Sequence, residues 1–125
     1  MKRHILQYTP PKGMSGAVSF DLSRLVREKG TSLLTVGRFR DADIPLVAED
    51  PECLTASRDH AYIQVFPSGQ GVAIIDHSSH GTSVAKWGEW DKPQVINPRE
   101  LYFLSNGDLI SFGSFGGFTY AVRGD

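Results

Sequence analysis

Leu104-Ser105-Asn106-Gly107-Asp108-Leu109-Ile110-Ser111-Phe112-Gly113 is the stretch on which the reading of this chain turns. Ser105 to Asp108 is a run of turn formers, and Asp108 to Phe112 is a short piece rich in branched and aromatic side chains, as a strand is. The same grammar runs through the whole chain. Thirteen glycines and seven prolines cut it into short pieces. Most of these alternate apolar with polar residues or concentrate β-branched and aromatic ones. Strands are predicted over Ile5 to Tyr8, Ala17 to Phe20, Leu33 to Arg38, Ile44 to Val47, Ala61 to Phe66 and Gly71 to Asp76. Five more follow over Ser83 to Lys86, Gln94 to Ile96, Glu100 to Phe103, Asp108 to Phe112 and Phe118 to Val122. Short strands at regular spacing imply an all-β sandwich or barrel.

Three segments read as hairpin turns: Pro67 to Gly71, Ser105 to Asp108, and Ser114 to Gly117. Asp21 to Gly30 is ambiguous between a short helix and an irregular loop, because Leu22, Leu25 and Val26 fall at helical spacing between a capping aspartate and a glycine.

The chain has 125 residues, enough for one domain with one core. Its net charge is -1, and no block of one sign stands out. An anion must therefore be caught by a local cluster of donors, since charges beyond roughly 8 Å are screened at physiological salt. Nonspecific nucleic-acid binding, which needs a basic face, is disfavoured. The first residues lack the apolar run of a secretory signal, and no stretch approaches membrane-spanning length. One cysteine, Cys53, permits no internal disulfide and suits a reducing, intracellular setting, nuclear or cytoplasmic and cytoskeletal alike. The end at Arg123-Gly124-Asp125 directly after an apolar alternation reads as a domain edge, with more protein expected beyond it.

Four signals in order resemble the forkhead-associated (FHA) family. They are Gly37-Arg38 followed by Asp43-Ile44-Pro45-Leu46, then Ser57-Arg58-Asp59-His60, then Asp76-His77-Ser78-Ser79-His80-Gly81-Thr82, and finally the Leu104 to Gly113 stretch. The family patterns they resemble are Gly-Arg at a strand end, Ser-x-x-His, Asp-x-x-Ser-x-Asn-Gly-Thr, and Leu-x-x-Gly-Asp-x-Ile-x-Phe-Gly. The resemblance implies a single FHA domain over 1–125, built as a β-sandwich of about eleven mainly antiparallel strands with ligand loops at one end. It also implies a signalling or scaffold module that binds a phosphothreonine-containing protein. No catalysis, cofactor, metal, small-molecule substrate, nucleic acid or membrane is expected.

Phosphothreonine carries roughly -1.5 to -2 charges and three acceptor oxygens, so its receptor needs charged and neutral donors aimed at one point. By this resemblance Arg38 is the charged anchor, with a planar fork that donates two parallel hydrogen bonds to phosphate. Ser57 offers a hydroxyl donor, Ser79 a second one, and Arg58 a further charge for the phosphate or the peptide backbone, unless Asp59 pairs with it. His80 stands where the family carries an asparagine that holds the peptide backbone, and it supplies only part of that amide's hydrogen bonding. Thr55 is a weaker rim candidate. Gly37, His60, Gly81 and Thr82 are assigned to loop architecture, with Gly81 free to take positive φ.

Three other readings of these residues are open. Histidines 60, 77 and 80 with Cys53 and Asp76 offer metal ligands, but without a strong ligand spacing. Ser57 or Ser79 with a histidine and Asp76 imitates a hydrolase triad, but without a nucleophile elbow. Trp87, Trp90, Tyr102 and Phe103 could form an exposed aromatic patch on an FHA-like scaffold that binds without phosphate.

Overall fold

A computed structural model describes residues 2–67 and 71–124. Its strands, in chain order, are β1 (Arg3–Tyr8), β2 (Val18–Asp21), β3 (Leu33–Gly37), β4 (Ile44–Pro45), β5 (Ala61–Phe66) and β6 (Gly71–Asp76). Then come β7 (Thr82–Ala85), β8 (Gln94–Val95), β9 (Leu101–Phe103), β10 (Leu109–Phe112) and β11 (Phe115–Arg123). They form a six-stranded sheet in the order β2-β1-β11-β10-β7-β8 and a five-stranded sheet in the order β4-β3-β5-β6-β9. Pairing is antiparallel throughout except between β3 and β4.

The sheets face each other across one core because their strands alternate. Along β5, Ala61, Ile63 and Val65 are buried while Tyr62, Gln64 and Phe66 are only partly so. Leu34, Val36, Ile63 and Ile74 of one sheet meet Leu6, Ile110, Phe112, Phe118 and Tyr120 of the other in a single buried cluster. Phe112 meets Phe118 edge to face at 5.0 Å, a geometry worth about 1 kcal/mol beyond area burial.

The ambiguous segment is the helix α1 (Leu22–Lys29). Asp21 caps it by accepting from the Arg24 amide, and Gly30 ends it at φ 69°, donating to the Val26 carbonyl. Leu22 is fully buried, and Leu25 and Val26 pack against the core. A 3₁₀ turn over Pro51–Thr55, capped by Asp50, was not anticipated.

Two of the three expected hairpin turns need correction. Ser105 to Asp108 is a tight turn, closed by Asp108 N–H to Ser105 O at 3.0 Å. It joins β9 to β10, however, and these lie in different sheets, so the segment is a corner between layers. The turn between β10 and β11 lies at Gly113-Ser114, since Phe112 already pairs with Phe115. Gly116 and Gly117 belong to β11, and a Cβ on Gly117 would lie 2.4 Å from the Thr9 carbonyl oxygen. The glycine there permits close backbone approach inside a strand and marks no turn. Of the third, Pro67 to Gly71, the tip residues 68–70 lie outside the described residues, while its flanking strands β5 and β6 do pair, Phe66 with Gly71.

Candidate functional site

Register brings the ends of several strands to one end of the sandwich. Val36, Ala61 and Asp76 stand side by side across β3, β5 and β6. In the other sheet Thr82 opens β7 opposite Phe112 at the end of β10. The strand ends and the segments leaving them hold the residues expected from the sequence to contact the ligand or shape its loops.

Gly37 comes first because a side chain there would collide with backbone. A Cβ would lie 1.7 Å from the Arg58 carbonyl oxygen. The bare backbone lets the segment around Ser57 lie against the end of β3, and the Arg38 amide donates to the Ser57 carbonyl at 3.1 Å. The half-buried Arg38 side chain donates from Nε to the Ala56 carbonyl at 3.1 Å. That bond fixes the guanidinium and leaves its two terminal nitrogens for a ligand. Among the described residues no carboxylate pairs with Arg38.

Across from it, the Ser57 hydroxyl accepts from the Ser79 amide at 3.2 Å. This bond joins the loop before β5 to the loop before β7. A hydroxyl that accepts in this way keeps its own proton free to donate. Arg58 and His80 are exposed. Among the described residues neither side chain makes a hydrogen bond within the domain, and Arg58 makes no ion pair with Asp59. The Thr55 hydroxyl gives its proton to the Glu52 carbonyl and accepts from the Ser114 amide. It has no proton left for a phosphate, so the rim role expected of it is not supported.

Beneath these groups lies a network that crosses the sandwich. His60 is fully buried. Its Nδ1 accepts from the Ser57 amide at 2.9 Å, and its Nε2 faces the Gly81 carbonyl at 3.1 Å and the Thr82 hydroxyl at 3.0 Å. A carbonyl can only accept, so Nε2 carries the proton, and the neutral ring ties Ser57 to the Gly81-Thr82 strand start. Thr82 passes its own proton to Asp76 Oδ1 at 2.9 Å. The same oxygen accepts from the Ser78 amide and hydroxyl, and Ser78 Oγ accepts from the Gly81 amide at 2.7 Å. Gly81 turns at φ 87°, which favours a residue without Cβ. Ser78 was not singled out from the sequence. The aspartate two residues before it is the local signal that could have found it, since Asp-x-Ser readily closes a side-chain turn.

Burial, first of all, holds the His60 pKa below its ordinary value of 6.5, and the charge of His80 acts in the same direction. The Gly81 carbonyl and Asp76 pull the other way without reversing it. Below about pH 6.5 the unfolded chain takes up a proton that the native ring refuses. Stability is therefore complete above pH 6.5 and declines as pH falls through the window down to the folded pKa. Buried His4, also lowered chiefly by burial, adds to the same trend. Thermal unfolding between pH 7.5 and 5 should show the decline. Imidazole nitrogen shifts should report His60 as the neutral Nε2–H tautomer at pH 6.5, and a doubly protonated ring there would contradict the network.

The same bonds bear on the rival readings. Both His60 nitrogens are engaged, so it offers no lone pair to a metal. Nδ1 is taken by the Ser57 amide rather than its hydroxyl, and Asp76 holds Ser78 and Thr82 rather than a histidine. The triad arrangement is not formed. The aromatic residues do not make one patch: Trp87 and Trp90 pack edge to face at 5.3 Å on the β7–β8 connection, whereas Phe103 stacks on Phe66.

A two-sheet sandwich whose loops at one end present a tethered guanidinium, a donor hydroxyl and a bonded loop framework is a recognition module of the β-sandwich class. The FHA domain family profile matches residues 34–113, nearly two thirds of the sequence, and the chain belongs to that family. Solved structures agree on the fold. The yeast Dun1 FHA domain, solved in complex with a doubly phosphorylated (pT) peptide derived from Rad53, is 22% identical. That match covers 98% of this chain and 79% of that one at a TM-score of 0.62. An FHA domain of an Arabidopsis thaliana hypothetical protein is 20% identical, with 98% and 87% covered and a TM-score of 0.65. The Slr1951 protein of Synechocystis sp. is 19% identical over 100% of both chains, at a TM-score of 0.64. No curated protein matches the sequence.

Proposed function

We propose that this domain binds a phosphothreonine peptide in a partner protein, with Arg38 and Ser57 as the phosphate contacts. In this reading Ser79 and Arg58 complete the phosphate site, and His80 and Arg58 hold the peptide backbone. The observation that carries it is the tether from Arg38 Nε to the Ala56 carbonyl, which leaves the terminal guanidinium donors free beside a serine hydroxyl that keeps its proton. Donors held in place before the ligand arrives cost little further entropy on binding. The phosphopeptide in the Dun1 complex supports the choice of ligand. Such a module reads the products of kinases, which fits a signalling or scaffolding role inside the cell, nuclear or cytoplasmic.

Affinity is set by one phosphate and a few loop contacts, so a micromolar Kd, about -8 kcal/mol, is expected. Calorimetric titration of one peptide in three forms tests the proposal. The unphosphorylated form should not bind measurably. The phosphothreonine form should bind at least about fourfold tighter than the phosphoserine form, because burying one methyl is worth about 0.8 kcal/mol. Equal affinity for the two phosphorylated forms would remove the threonine assignment, and binding of the unphosphorylated form would remove the phosphate.

A further inference from the structure

We infer that the outer face of the five-stranded sheet is a self-association surface, on which a second copy of this chain packs sheet to sheet. An antiparallel sheet with one wet face normally places apolar residues inward and polar ones outward. This sheet carries large apolar side chains on both. With Leu34, Ile63, Val72 and Ile74 buried inward, strand alternation turns Leu33, Tyr62, Phe66, Ile75, Leu101 and Phe103 outward. Register lays them side by side: Thr35, Tyr62, Ile75 and Leu101 form one row, and Leu33, Gln64, Ala73 and Phe103 the next. Phe103 remains 51% exposed, Leu101 48% and Leu33 39%. Phe66 stacks on Phe103 at 5.3 Å.

What selects a second copy is the chemistry of this surface. No outward position on β3, β5, β6 or β9 is charged; charge lies at the margin, where Asp43, paired with Lys29, bonds Thr35, and the His77 ring packs edge-on against Tyr62. A partner with a charged surface would desolvate those charges against nothing that answers them. Among the described residues the free polar groups on the face are the Tyr62 hydroxyl and the Gln64 amide. Each is donor and acceptor at once, so an identical group related by a twofold axis can satisfy it.

Five strands span roughly 24 Å and three to six residues roughly 10 to 20 Å. That footprint is the size of an interface core, while a standard interface buries about 800 Å² per partner once its rim is included. The association is accordingly weak and concentration-dependent. Because the phosphate loops lie at the sandwich end and not on this face, the dimer leaves both binding sites open. Granting the function proposed above, it reads two phosphothreonines with the gain of bivalency.

Sedimentation velocity from about 10 to 500 µM tests the inference. The wild-type mass should rise with concentration from 13.8 kDa toward twice that value. Phe103→Glu, and separately Leu33→Lys at the opposite side of the face, should hold the chain at monomer mass. Both variants should keep the wild-type circular dichroism and the single-site affinity for a phosphothreonine peptide. A wild-type chain that stays monomeric throughout, or variants that associate as the wild type does, would overturn the inference. A loss of peptide binding in the wild type would strike the proposed function and leave the self-association result standing.

Discussion

Arg38→Ala is expected to lower affinity for a phosphothreonine peptide by about 2 to 5 kcal/mol, because truncating one partner of a hydrogen-bonded charge pair costs on that order. From a micromolar starting point this is a loss of about thirtyfold or more, toward undetectable binding. The fold should survive. Arg38 is half-buried and contributes one side-chain hydrogen bond, from Nε to the Ala56 carbonyl. Losing that bond costs about 1 kcal/mol, and the Arg38 backbone amide keeps its own bond to Ser57. Arg38→Lys restores the charge but neither the fork nor the tether, so it should recover only part of the binding. Isothermal titration and thermal melting on the same preparations separate the two effects. A variant that melts normally and binds the peptide as tightly as the wild type would falsify the anchor assignment.

The sandwich was legible because its strands alternate strongly: every one of the eleven predicted segments overlaps a strand. Local signals were less informative about which strands pair. Ser105 to Asp108 has hairpin chemistry, yet nothing in four turn residues tells whether the next strand returns to the same sheet. Gly116-Gly117 has the composition of a turn, but the reason for glycine lies 108 residues away, in the Thr9 carbonyl that presses on Gly117. The 3₁₀ turn at Pro51–Thr55 has neither helical nor strand periodicity to expose it.

At the candidate site, the residues chosen from motif order converge on one end. The tethering partner of Arg38 could not be read, since it is the backbone carbonyl of Ala56. Thr55 looked available because a threonine hydroxyl is a donor, and only the fold reveals that Glu52 and Ser114 already use it.

Gly37→Ala should damage both stability and binding, and a glycine elsewhere shows why the two losses go together. Gly37 does not adopt positive φ, so its backbone would accept alanine. The obstacle is space, since the added methyl would sit 1.7 Å from the Arg58 carbonyl oxygen and 2.9 Å from its carbon. Those are backbone atoms and cannot rotate away. Relief requires the Ser57-to-His60 segment to lift from β3, breaking the Arg38 amide bond to the Ser57 carbonyl and the His60 amide bond to the Val36 carbonyl. Overpacking typically costs about 1 to 3 kcal/mol, and a backbone clash belongs at or above the upper figure. For a domain of this size that corresponds to a fall in Tm of roughly 10 °C or more. The same shift moves Ser57 and Arg58 away from Arg38, so peptide affinity should fall at temperatures where the variant is still folded. Gly30→Ala is the counterpart. Gly30 sits at φ 69° with nothing within 4 Å of an added Cβ, so alanine there meets only the strain of left-handed backbone, about 1 to 2 kcal/mol. Its Tm should drop while peptide affinity stays at the wild-type value. If Gly37→Ala behaves like Gly30→Ala, losing stability alone, then the contact between Gly37 and Arg58 holds the fold but does not position the ligand groups.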